Sequence, residues 1–295
     1  MVLVDGFGLR PAATISRPGS LGRGRETKLL AGVSGAQRYR VGLLSIPRRA
    51  VGITIFGAVL LLLFVFVAPL VGVGFSYTAQ ILAFVISVLA TGALLFGFPS
   101  LVNAIATPWL LGFGAVAAVL GGLSAILARP DVLSGGWAIV PLLALFVSNI
   151  LRISAAAALG ISLARHVTSP AIALLIAVVA TATDLFSVFA GPTKAMVEKS
   201  APALDFLLVI FPTFGQALGF AIGISDFIFL ALFITMSRLL NLRHIPTTIA
   251  VCAGTLLAMT TSLLLERPLP ALPFISLAFV LVNVDLILSS LFKRW

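Results

Sequence analysis

Charge is scarce in this chain: only 9% of its 295 residues are charged, and only nine are acidic. Soluble domains carry roughly 25% charged residues. With 60% of the residues apolar, there is too little polar surface to coat a soluble globule, which excludes an ordinary cytosolic protein. Cysteine is almost absent. The single Cys252 lies in an apolar run, which excludes a disulfide framework and a cysteine-based metal site. The two histidines, His166 and His244, fall in separate loops and argue against a histidine metal centre. No cysteine or histidine metal site is therefore expected. No repeat of 20–50 residues is visible.

Long apolar runs are what the chain has in abundance. A membrane-spanning helix takes about 20 mostly apolar residues. Eight segments qualify: 50–74, 79–98, 104–128, 137–163, 170–190, 215–238, 246–264 and 271–291. The expected fold is an all-α polytopic transmembrane helix bundle of about eight spans, or nine if a break divides the long fourth segment. The stretch Leu204–Phe211, closed by Pro212 and Gly215, is too short to span and reads as a re-entrant or interfacial piece.

The positive charge is concentrated at one end. Residues 1–49 hold nine Lys or Arg against Asp5 and Glu26. This basic arm, rich in Gly, Ser and Pro, is expected to be disordered and cytoplasmic, holding the N-terminus inside and touching anionic lipid. No aromatic or folded module accompanies it, so no nucleic-acid partner is expected. No apolar h-region precedes residue 50, so no signal peptide is expected. With the N-terminus inside, Arg165, Arg238, Arg243, Lys293 and Arg294 fall on inner connections. The outer connections are balanced, which suits an even number of spans.

Three acids lie inside apolar spans: Asp184, Asp226 and Asp285. A charged Asp at a helix centre costs about 2.5–3.5 kcal/mol on insertion scales, so each needs a reason. Counted from Pro170, Asp184 lies about 21 Å along its helix; counted from Arg238, Asp226 lies about 18 Å along the next. On adjacent antiparallel helices the two would be nearly level. Ala177, Ala180 and Thr181 beside the first, and the pair Gly219 and Gly223 before the second, would let those helices touch. Two carboxyls that meet cannot both ionise, which suits an aspartyl protease. The same pair suits a proton or cation path in a transporter, and either Asp could pair with Arg152. For Asp285 the expectation is a structural ion pair with Arg152, joined by Asn149 and Asn283.

A third element, Arg267 to Phe274, carries three prolines in seven residues. Prolines remove amide donors at a membrane boundary, where irregular backbone is tolerated only beside protein or a water-filled cavity. Such a segment could present a strand-like edge to an extended peptide, or it could simply start a helix.

Taken together and in order, these elements resemble the presenilin and signal peptide peptidase family of intramembrane aspartyl proteases. That family carries Tyr-Asp on one helix, Gly-x-Gly-Asp on the next and Pro-Ala-Leu at the start of the last. Here the corresponding residues are Thr183-Asp184, then Gly223-Ile224-Ser225-Asp226, then Pro270-Ala271-Leu272-Pro273. The resemblance covers roughly 170–291 and implies a presenilin-like bundle of a divergent, prokaryotic type. It divides the chain into the arm 1–49, N-terminal helices at 50–163 and catalytic helices at 164–295.

The resemblance further implies that Asp184 and Asp226 are the catalytic pair. Thr183, Gly223, Ser225, Pro270, Ala271, Leu272 and Pro273 would shape the site and dock substrate. The implied substrates are transmembrane segments or signal peptides within a lipid bilayer, here a prokaryotic plasma membrane, and no metal or cofactor is implied. Two residues depart from the pattern: Thr183 stands for the tyrosine and Ser225 for the second glycine. The family has nine spans where eight are counted here. A transporter using the same Asp pair, or an inactive presenilin-like membrane protein, are the alternatives.

Overall fold

A helix without a hydrophilic face is either buried in protein or set in lipid, and this chain contains both. The structure, a computed structural model, describes residues 48–72, 76–102, 105–127, 139–191 and 204–292. The basic arm, except its last two residues, therefore lies outside the described residues. Among the described residues, eight long helices are present: α1 Arg48–Val67, α2 Tyr77–Leu101, α3 Thr107–Leu127, α4 Ile139–Ala164, α5 Pro170–Phe189, α6 Ile224–Leu239, α7 His244–Leu264 and α8 Leu272–Phe292. All but α6 are long and apolar enough to cross a membrane, α1 continuing through a short 3-10 turn to Leu70. The protein is an all-α polytopic helix bundle and an integral membrane protein.

Local signals set several helix ends. The Ser76 hydroxyl accepts from the Ala79 amide at 3.1 Å to start α2. Ser169 does the same for Ile172 at 3.4 Å, with Pro170 in the first turn, to start α5. Outward faces carry large apolar side chains such as Phe56, Leu89, Trp109, Val178 and Leu281, the surface expected where lipid is the solvent.

The centre of the bundle is α6. Every residue from Leu230 to Ser237 is buried. It packs against α4, α7, α2 and α8. Contact with α4 is close because Gly160 carries no side chain: a Cβ there would lie 2.4 Å from the Ile228 carbonyl oxygen and 3.0 Å from the Leu232 nitrogen. By contrast, α5 buries only Ala173, Ala177 and Ala180 and packs chiefly along α8.

The expected sixth span, 215–238, is not one helix. Its first half pairs as a strand with the stretch expected to be re-entrant. After a single helical turn at Leu204–Leu207, β1 Leu208–Thr213 and β2 Gln216–Gly223 form an antiparallel hairpin. Leu208 stands opposite Gly223 and Phe211 opposite Phe220. Gly215 turns the chain with φ 81°, and the irregularity between Phe211 and Thr213 falls on Pro212, which has no amide to give. Gly219 and Gly223 therefore serve the hairpin rather than a helix seam. A Cβ on Gly219 would lie 2.6 Å from the Thr213 nitrogen. Short apolar runs do not separate strand from helix by periodicity, which is why the pattern misled.

The expected Arg152–Asp285 pair is also absent, and its components are divided between two places. Asn149 and Arg152, both buried and one turn apart on α4, reach the free edge of β1. Asn149 Nδ2 donates to the Ile210 carbonyl at 2.6 Å, and Arg152 donates to the Leu208 carbonyl. Asp285 instead pairs with Arg243 at 2.7 Å near the end of the bundle where α7 begins. Asn283 accepts from the Arg243 amide at 3.1 Å and donates to Thr247 at 2.8 Å. Depth explains the separation. Arg152 lies about 18 Å along the helix from the end of α4, and Asp285 only about 10 Å from the end of α8.

Replacing Gly160 by alanine should force α4 and α6 apart and destabilise the bundle by about 1–3 kcal/mol. The check is a lower thermal midpoint in detergent. Gly112→Ala on α3, where nothing lies within 4 Å of the new Cβ, should leave the midpoint unchanged or raised.

Candidate functional site

The hairpin places its second strand against a cavity of about 940 Å³ that holds both acids. The wall is built from β2, the first turns of α2 and α6, the last turns of α5 and α7, and the strap 265–271 that joins α7 to α8.

Asp226 reaches the cavity from the first turn of α6. Gly223 ends β2 and caps this helix in extended conformation, with φ −63° and ψ 141°. A Cβ on Gly223 would lie 3.3 Å from Asp226 Oδ2, so the glycine keeps the approach to that oxygen open. Asp184 enters from the last turns of α5, and its Oδ2 accepts the Leu272 amide at 3.0 Å. Leu272 begins α8, so this carboxyl lies at a helix N-terminus, where unpaired amides and the helix dipole favour negative charge. Each acid thus faces the amide end of a helix. The two carboxyls line the same cavity. The sequence set Asp184 about 21 Å and Asp226 about 18 Å along two continuous spans; Asp184 keeps that place on α5, whereas the helix bearing Asp226 begins only at Ile224.

Of the residues singled out by sequence, Asp184, Asp226, Gly223, Ser225, Pro270 and Ala271 line this cavity together. Leu272 contributes its amide while its side chain is buried. Pro273 lies in the first turn of α8, half-buried and outside the lining. Thr183 is not brought in: its side chain is exposed, and its hydroxyl donates to the Val179 and Ala180 carbonyls of its own helix. Sequence reasoning did not assign Tyr77, Gln80, Glu266 or Arg267 to the site, and all four line the cavity. Tyr77 donates to Glu266 at 3.2 Å across a separation of 189 residues, a pairing for which no local pattern exists.

Among the described residues, β2 pairs with β1 alone, within a two-stranded sheet. Residues 220–223 of β2 line the cavity. Among the described residues, no three His, Cys, Asp or Glu side chains gather closely enough to hold a metal ion. Comparison with known proteins matches no family model, no curated protein and no solved structure.

Removing the acceptor of the Leu272 amide should loosen the start of α8. Asp184→Ala is expected to cost about 1 kcal/mol, the usual value of a lost helix cap. Asp184→Asn keeps an acceptor oxygen and should lose less. Thermal midpoints of the two variants in the same detergent would check the order.

Proposed function

We propose that this protein is an intramembrane aspartyl protease, similar in its site to the presenilin and signal peptide peptidase family. The observation that carries the reading is the meeting of Asp184, Asp226 and the Pro270-Ala271 strap in one cavity bordered by a strand with a free edge. Two carboxyls sharing a site hold one proton between them. The ionised member takes a proton from water, and the resulting hydroxide adds to the scissile carbonyl carbon. The protonated member donates to the carbonyl oxygen as the tetrahedral diol forms. Collapse of the diol breaks the C–N bond, with a proton passing to the leaving nitrogen. Neither step needs a metal or a cofactor.

Substrate docking follows from backbone chemistry. A transmembrane helix satisfies its own amides and carbonyls, so it resists attack until it opens. The free edge of β2 offers replacement partners to an opened segment, which would lie as a third strand beside Asp226. The substrates are single transmembrane segments or signal peptides. The protein works in a prokaryotic plasma membrane with its N-terminus in the cytoplasm, where the basic arm holds it.

Asp184→Asn and Asp226→Asn should each abolish cleavage of a reporter helix in detergent while the protein stays folded, because groups acting as a unit fail together. Substantial cleavage by either variant overturns the protease reading. A transporter using the same acids would cleave nothing even as wild type, and a hydroxyl-bearing transition-state mimic would not bind it.

Ser225 lines the cavity beside Asp226 at the position of the family's second glycine. Ser225→Gly is expected to retain cleavage or accelerate it. Inactivation without unfolding would show instead that the Ser225 hydroxyl orients Asp226.

A further inference from the structure

Glu266 has a backbone conformation that glutamate seldom adopts. Its φ is 51°, in the left-handed region. The Glu266 amide donates to the Leu263 carbonyl at 3.2 Å, and the Arg267 amide to the Ser262 carbonyl at 3.3 Å. Together these bonds close the end of α7 in the motif where glycine is the usual residue, because glycine has no Cβ to clash. The Ser262 hydroxyl adds a bond to the Arg267 carbonyl at 2.7 Å. Glycine would end the helix with less strain, so the glutamate side chain needs its own explanation.

That side chain reaches across the rim. Its Oε1 accepts from the Tyr77 hydroxyl, which ties the end of α7 to the first residue of α2. From Arg267 the chain continues through Pro268, Leu269 and Pro270. Each proline fixes φ near −65°, so the strap has few soft dihedrals. At its far end the Leu272 amide holds Asp184 at 3.0 Å.

We propose that Glu266, through its bond to Tyr77, is a positioning residue for Asp184: it anchors the strap whose far end holds that carboxyl. The kinetic consequence rests on the protease reading; the structural consequence does not.

The test uses the full chain in detergent with Glu266→Gly, Glu266→Gln and Tyr77→Phe. It reads thermal midpoint, kcat and KM on a reporter helix, and hydrogen exchange at the Leu272 amide. Glu266→Gly should keep or raise the midpoint, because strain is relieved, yet exchange faster at Leu272. Its kcat should fall about tenfold, the scale of a small misplacement of a reacting group. KM should stay within about twofold, since a group that acts only on positioning changes kcat. Tyr77→Phe should show the same fall in kcat and faster Leu272 exchange but no rise in midpoint, since Glu266 stays strained, and Glu266→Gln, which still offers an oxygen, should keep most of the kcat.

Wild-type kcat with unchanged Leu272 exchange in Glu266→Gly overturns the proposal. So does a loss confined to KM, which would make Glu266 a substrate contact. Should Glu266→Gly fail to fold, Tyr77→Phe decides by the same readings. If the wild-type protein cleaves nothing, the protease reading fails separately, and Leu272 exchange alone decides: faster exchange supports the anchor and unchanged exchange overturns it.

Discussion

Backbone amides and carbonyls inside a membrane must find partners within the protein, and the hairpin at 208–223 makes that requirement acute. A two-stranded sheet satisfies only its inner edges. The outer edge of β1 is met by Asn149 and Arg152, whose one-turn spacing on α4 matches alternate carbonyls, Ile210 and Leu208, on the strand. A strand advances about 6.7 Å over two residues and a helix about 4.5 Å over three, a difference that long side chains bridge. With β1 clamped to α4, and α4 pressed onto α6 through Gly160, the hairpin and the helix bearing Asp226 are held to the same support.

Residues 220–223 at the end of β2 line the cavity. β1 is held by α4, while the end of β2, with Leu208 opposite it, lines a space that holds two carboxyls and the strap leading into α8. Sheet edges are ordinarily covered or blunted because they invite another chain. Here β2 lies beside two carboxyls, and the proposed activity uses that invitation.

Electrostatics follow from the same geometry. Asp226 occupies the first turn of α6 because the hairpin delays the helix until Ile224, and Asp184 meets the first amide of α8 because the proline strap delays that helix until Leu272. Two interruptions of helix therefore put two helix N-termini at one cavity, each with a carboxyl. Helix ends supply amide donors that a continuous span would have spent on itself. The support is uneven: α6 is enclosed on nearly every side, while α5 rests on a narrow alanine stripe against α8.

Much of this was legible in residues alone. Composition required a membrane bundle, because no soluble interior could hide so many apolar side chains. The positions of the long helices followed from run length, and Ser76, Ser169 and Pro170 marked starts that depend only on neighbours in sequence. The rarity of acids within spans directed attention to Asp184 and Asp226, since burying a carboxyl in lipid needs a reason. What tertiary structure alone decided were the pairings at long separation. Arg152 meets a strand carbonyl rather than Asp285, Tyr77 meets Glu266, and Thr183 turns away while Leu272 turns its amide inward. The sixth span became half hairpin, because an apolar run with Pro and Gly is compatible with strand or helix until a neighbour offers partners to its backbone. Local sequence constrains conformation within a few residues, but hydrogen bonds between segments form only where packing brings their edges together.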